Sequence, residues 1–347
     1  MAKYRIFIGT YSKGPGKGLL SGVFDSDTGE IRLGDALDIE NPSYMQISPY
    51  NDGVLYGVSE TYEYCGENGG ALFCVDISDP GKMRLIDIKG VRGKLPCHLC
   101  AVDNLVFTAN YSDGSLGIME TDRAGNISPI YRAISHFGKG PNKDRQEAAH
   151  IHFVSMTPDG KYLALCDLGL DGVFLYPYTK EAGLAANAKI IGCPPGSGPR
   201  HLVFSADGKY MYVLTELAST VLAFGYSDGK AEFLQEISCL PPGNARESAA
   251  AAIHISPDGK QLVASNRGAD CLAVFDIGEN GRLGISGYIE DQNTPRDFNF
   301  SPDGNFLVSA HQDGDKIEVF RVENGGFAKV GETGAWAPVC VLFGGQI

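Results

Sequence analysis

His152, Arg200, Glu216 and Arg267 are the side chains of this 347-residue chain whose types and spacing could do chemistry together. An imidazole and a carboxylate can act as a general acid/base pair, and two guanidiniums can hold an anion or a developing oxyanion. Each falls at a corresponding place in a repeating unit, so the repeat would bring them together, although they are far apart along the chain. His150, His201, His254, Asn110, Tyr111, Asn266, Glu60, Asp167 and Arg296 stand at or beside such positions and complete a candidate substrate-binding set.

The elements that must position these residues announce themselves as a polar turn. It reads Thr157-Pro158-Asp159-Gly160, Ser205-Ala206-Asp207-Gly208, Ser256-Pro257-Asp258-Gly259 and Ser301-Pro302-Asp303-Gly304, with steps of 48, 51 and 45 residues between the glycines. An apolar run ending in a polar residue follows each turn, and weaker copies of that run end at Glu60 and Asn110. The clearest repeat holds four short strand-like runs, at 200–204, 210–216, 220–226 and 232–238, bounded by Gly, Asp, Asn or Pro. Four strands in a repeat of roughly 50 residues make one blade of a β-propeller.

First strands begin near Pro42, Pro96, Ile151, Pro199, Ala251, Pro295 and Pro338. The last, at 337–343, lacks three partners, and 5–10, 18–24 and 31–37 at the other end of the chain supply them. The expected fold is therefore all-β: one seven-bladed β-propeller domain over residues 1–347, with four antiparallel strands per blade. The last blade is closed by N- and C-terminal strands, which removes exposed sheet edges. A long insertion at 136–149, carrying Lys139, Arg145 and Gln146, is of the kind that is often functional.

Aligning the repeats on their turns gives two columns. The first-strand column is Ser43, Cys97, His152, Arg200, Ala251, Arg296 and Val339; the second-strand column is Thr10, Glu60, Asn110, Asp167, Glu216, Asn266 and His311. Asn110 and Asp167 equally suit residues that only satisfy neighbouring backbone groups. His254, between Ile253 and Ile255, suits a core histidine, His201 and His98 are similar, and His136 falls in a loop. Glu60, Asn110, Asp167, Glu216 and Asn266 could supply oxygen ligands to a metal, but guanidiniums among them argue against a cation site, and no metal is expected.

Composition narrows the partners. Twenty-nine basic against 42 acidic residues give a net charge of −13, which disfavours nucleic acid and anionic membrane surfaces. No run is long and apolar enough for a membrane span or a signal peptide. Nine cysteines without paired spacing read as reduced thiols of a cytoplasmic protein; the Cys97/Cys100 pair is weak evidence for zinc or redox chemistry. Dinucleotide, P-loop, zincin and nucleophile-elbow motifs are absent, and no cofactor is expected. The oligomeric state is not readable.

His150-Ile151-His152, Gly198-Pro199-Arg200-His201, Thr215-Glu216-Leu217, His254 through Gly259, and Ser265-Asn266-Arg267-Gly268 resemble, in this order, the signature segments of the lactonase-type seven-bladed propellers. That family includes bacterial 6-phosphogluconolactonases and is related to the fungal 3-carboxy-cis,cis-muconate lactonizing enzyme. The resemblance runs over residues 7–340 and implies that His152, Arg200, Glu216 and Arg267 form the active site. The chain departs from the family pattern at His311 and at Tyr62-Glu63-Tyr64-Cys65-Gly66.

The expected activity is metal-independent hydrolysis of a small anionic sugar δ-lactone, 6-phosphogluconolactone to 6-phosphogluconate in the pentose phosphate pathway. Glu216 or His152 would activate water, the other would protonate the leaving oxygen, and Arg200 or Arg267 would hold the oxyanion. Arg296, with Lys139 or Arg145, would hold the phosphate. The alternatives are a lactonizing enzyme acting on a muconate-like dicarboxylate and a non-catalytic binding propeller.

Overall fold

The computed structural model describes residues 2–14, 16, 18–323 and 325–347, and among these every regular element is a β-strand. Each polar turn is built the same way. The hydroxyls of Thr157, Ser205, Ser256 and Ser301 donate to the aspartate two residues on, at 2.6, 2.7, 2.6 and 2.6 Å. The same hydroxyls accept the backbone N–H five residues on, at Tyr162, Tyr210, Gln261 and Phe306. The closing glycines take φ between +67° and +75°, the left-handed region that a side chain would strain. Such a turn reverses the chain and fixes the register of the two strands it joins.

The chain divides into two compact units, Met1–Thr108 with Gly117–Ala133 and Gln292–Ile347, and Ala109–Leu116 with Ile134–Asp291. The first holds the sheet that joins the ends of the chain, in the order Ile31–Leu37, Leu19–Asp25, Lys3–Thr10, Pro338–Gln346. Ile8 pairs with Val341 in it. It also holds the sheets Pro42–Ser48, Asn51–Ser59, Ala71–Asp76, Arg84–Gly90 and Pro295–Phe300, Phe306–His311, Lys316–Glu323, Gly326–Gly334. Phe24 packs edge-on against both Phe306 and Phe343, each at 5.3 Å between ring centres.

The second unit holds Pro199–Phe204, Tyr210–Thr215, Thr220–Ser227, Lys230–Ser238, and Ala249–Ile255, Gln261–Arg267, Cys271–Ile277, Leu283–Ile289. Its remaining sheet, Ile151–Met156, Tyr162–Asp167, Gly172–Thr179, departs from four strands. Both Gly183–Leu184 and Lys189–Gly192 pair with its third strand. Tyr212, Leu214, Val221 and Ala223 bury against Ile253, Leu262, Ala264 and Phe275, so neighbouring sheets share one apolar layer. Each large side chain so buried contributes about 1.5–3 kcal/mol. A further sheet, Pro96–Val102, Leu105–Asn110, Ser115–Thr121, Ile127–Ser135, has strands divided between the two units. The seven sheets are the blades of a seven-bladed β-propeller.

The ladders are irregular where the first-strand column lies. Ile151 pairs with Asp167 and Phe153 with Cys166, which leaves His152 as an extra residue. Arg200 is extra between the Pro199–Thr215 and His201–Leu214 pairs, and Arg296 between Pro295–His311 and Asp297–Ala310. Ser43 and Val339 fall at the same irregularity. A bulge bends its strand and re-aims the extra side chain, so a repeated bulge turns the column out of the regular ladder.

The same pairings correct the second-strand column. Pro42, Ile151, Pro199, Ala250, Pro295 and Pro338 face Ser59, Asp167, Thr215, Asn266, His311 and Thr10. Glu60 and Glu216 therefore stand one residue beyond the position shared by Asp167, Asn266 and His311. Their equivalents are Tyr11, Leu168, Arg267 and Gln312, and the corresponding residue after Asn110 is Tyr111. Alignment on the polar residue merges two neighbouring columns.

Candidate active site

The inner of these columns is structural. Thr10, Ser59, Asn110, Asp167, Thr215, Asn266 and His311 are all buried. Thr10 Oγ1 donates to Gly18 O, Ser59 Oγ to Glu40 O, Thr215 Oγ1 to Thr220 O, Asn110 Nδ2 to Ser115 Oγ and Asn266 Nδ2 to Cys239 O. Asp167 accepts the backbone N–H of His150 at 2.8 Å and of Leu170 at 3.1 Å, and its other oxygen lies 2.7 Å from His136 Nδ1. His136 Nε2 meets the Tyr176 hydroxyl at 2.9 Å. His136 thus begins the 136–149 loop, as expected, and is a buried clamp there.

The next column holds the charged side chains. In the second unit Glu216 is 3% exposed and its carboxylate is shared by three guanidiniums. Arg145 Nη2 donates to Oε1 at 2.5 Å, while Arg200 Nε lies 2.9 Å and Arg267 Nη2 3.0 Å from Oε2. Burial alone would raise this carboxyl's pKa, but Arg267, Arg200, His152 and Arg145 outweigh burial and hold it far below the ordinary carboxylate range. The three guanidiniums favour the ionised form of Glu216. It anchors cations well and accepts protons poorly.

Local backbone fixes two of the three cations. Arg200 Nη1 donates to Ala251 O and to His201 Nε2, and Arg267 donates to Ala249 O at 3.2 Å and to Ala250 O at 3.1 Å. The Glu216 backbone is held by Gly198 O at 2.7 Å. Beside them runs a ladder of rings. His150 stacks on Tyr111 with centres 4.5 Å apart, Tyr111 meets His152 edge-on at 5.5 Å, and His152 meets His201 at 5.2 Å. His150 Nδ1 lies 2.9 Å from Tyr111 O, and the Tyr111 hydroxyl accepts from Arg145 at 3.2 Å. His152 is 5% exposed.

Of the residues that the sequence singles out, then, His150, Tyr111, His152, Arg200, His201, Glu216 and Arg267 come together, and Arg145 joins them. The sequence offers Arg145 only as a phosphate contact, and the sole signal for more is the length of the loop that carries it. Asn110, Asp167 and Asn266 lie in the structural column, and His254 is half-buried on Ala249–Ile255. In the other unit Arg296 sits over the Tyr11 ring at 5.0 Å and 3.8 Å from Glu60, which accepts from the Tyr11 hydroxyl at 3.0 Å. All nine cysteines are free thiols. Among the described residues no three His, Cys, Asp or Glu side chains are grouped to hold a metal ion, and no helix is long and apolar enough to cross a membrane.

Comparison with known proteins identifies the family. The model of the family "Lactonase, 7-bladed beta-propeller" matches residues 5–343. A 6-phosphogluconolactonase of Bacillus subtilis is 33% identical over 309 residues, covering 86% of each chain. One of Formosa agariphila is 35% identical over 294 residues, covering 82% of each. The periplasmic gluconolactonase PpgL of Pseudomonas aeruginosa superposes with a TM-score of 0.91 at 31% identity, over 99% of each chain. The chain belongs to the lactonase family of seven-bladed β-propellers, and it is a lactonase.

Proposed function

We propose that the protein hydrolyses 6-phosphogluconolactone to 6-phosphogluconate, as a cytoplasmic step of sugar-phosphate metabolism, with His152 as the proton-transfer residue. The observation that carries the reading is the Glu216 carboxylate held by three guanidiniums beside the His152 imidazole. Three cations around one anion leave the site net positive, which suits an anionic substrate and the oxyanion of acyl transfer. Hydrolysis then balances in two steps. His152 takes a proton as water oxygen bonds to the lactone carbonyl carbon, and the carbonyl electron pair moves onto oxygen beside Arg200 and Arg267. That pair returns, the ring C–O bond breaks, and the leaving oxygen takes the proton from His152.

Glu216 in this reading stays ionised throughout and fixes the arginines. Names of relatives support the substrate: two curated relatives are 6-phosphogluconolactonases. Purified protein in excess EDTA should consume 6-phosphogluconolactone far above the spontaneous rate, and His152→Ala should lose about 10²–10⁴-fold. Background rates on this lactone, with turnover of a muconate-like dicarboxylate instead, would overturn the substrate assignment.

A further inference from the structure

The 136–149 loop is organised around one buried amide. Gln146 is fully buried; its Nε2 donates to Leu168 O and to Asp171 Oδ1, both at 2.8 Å, and its Oε1 accepts from the Asn142 backbone at 3.1 Å. Asp171 also accepts the N–H groups of Gly196 and Gly198, at 2.7 and 2.8 Å. Gly198 O in turn holds the Glu216 N–H. One latch, Gln146 to Asp171 to Gly198, thus fixes both the base of the Arg145 side chain and the backbone of its partner Glu216.

Arg145 differs from the two arginines that share Glu216 with it. Arg200 and Arg267 are also tied to backbone carbonyls, and Arg200 is 3% exposed. Arg145 has 41% of its side chain exposed, and among the described residues both of its side-chain hydrogen bonds use Nη2. Its Nε and Nη1 donors are therefore left for a ligand. Exposed Lys139 and Lys143 on the same loop are offset by exposed Asp144 and Glu147, so the open donors of Arg145 itself are what the loop offers an anion. We propose that Arg145 is the specificity-determining residue for the phosphate of a phosphorylated sugar lactone, held ready by the Gln146–Asp171 latch. The inference rests on the 6-phosphogluconolactone reading for its substrate.

The test compares kcat/KM for 6-phosphogluconolactone with kcat/KM for gluconolactone in wild type, Arg145→Gln, Arg145→Lys and Gln146→Leu, with thermal unfolding to confirm that each folds. The ratio should fall at least about tenfold in Arg145→Gln, recover in part in Arg145→Lys, and fall in Gln146→Leu if that variant folds. An unchanged ratio in Arg145→Gln, with both substrates affected equally or not at all, overturns the inference. If wild type acts on neither lactone, the substrate reading fails separately. The thermal shift caused by inorganic phosphate then decides: stabilisation of wild type but not of Arg145→Gln supports the role, and equal shifts or none contradict it.

Discussion

Glu216 shows how a residue type can be legible while its role is not. The sequence supplies a carboxylate near a histidine and two arginines, and either the carboxylate or the imidazole could be the base. In the proposed reading three guanidiniums against a buried carboxylate make it an anchor, and that count depends on Arg145, far away in an insertion. Removing the charge leaves buried cations uncompensated, so Glu216→Gln should destabilise the fold by about 3–5 kcal/mol at pH 7. The folded carboxyl titrates below its unfolded value of about 4.3, so its stabilisation is present above that pH and is lost as pH falls through the folded pKa. Urea unfolding of both proteins at several pH values should show the gap narrowing in acid. A gap independent of pH would mean that Glu216 is not the charged anchor described.

At the scale of elements, the turns were legible because Ser/Thr-x-Asp-Gly is a mechanism as well as a pattern. The bulges were not. A bulge sets two residues against one without disturbing the apolar run, so alignment on polar residues slips by one at Glu60 and Glu216. Strand limits followed closely, as in Pro199–Phe204 for the expected 200–204 and Tyr210–Thr215 for 210–216. The insertion could be seen, but its internal latch could not, because Gln146 and Asp171 are distant in sequence and meet only through the fold. Gly169 tests how closely that loop is seated. A Cβ there would lie 1.9 Å from Ala148 O, so Gly169→Ala must push the loop base away. The expected cost is about 1–3 kcal/mol in chemical denaturation, with a lower kcat/KM for the phosphorylated lactone. Unchanged stability and activity would show that the loop base tolerates displacement.

At the scale of the whole molecule, the propeller was legible in the repeat, and the closing sheet in the mismatch between a lone last strand and three unclaimed first ones. Pro338–Gln346 completes that sheet against Lys3–Thr10, and Phe343 packs on Phe24. A chain stopped after Gly334 would leave Lys3–Thr10 as an open edge and uncover Ile6, Ile8 and Phe24. It should aggregate or lose its cooperative transition, as gel filtration and calorimetry would report; a monomer with unaltered Tm would contradict the closure. The substrate was less legible than the fold. A phosphate is recognised by a few donors whose convergence depends on loops, and loops carry no period.

The most direct test of the account is the pH dependence of kcat/KM for 6-phosphogluconolactone, corrected for spontaneous hydrolysis, in wild type and Glu216→Gln. If His152 moves the proton and Glu216 remains an ionised anchor, the variant is slower at every pH and keeps an acid limb, displaced by the loss of the carboxylate beside the imidazole. If the acid limb disappears in Glu216→Gln, Glu216 is the titrating base and the roles assigned to the two residues are reversed.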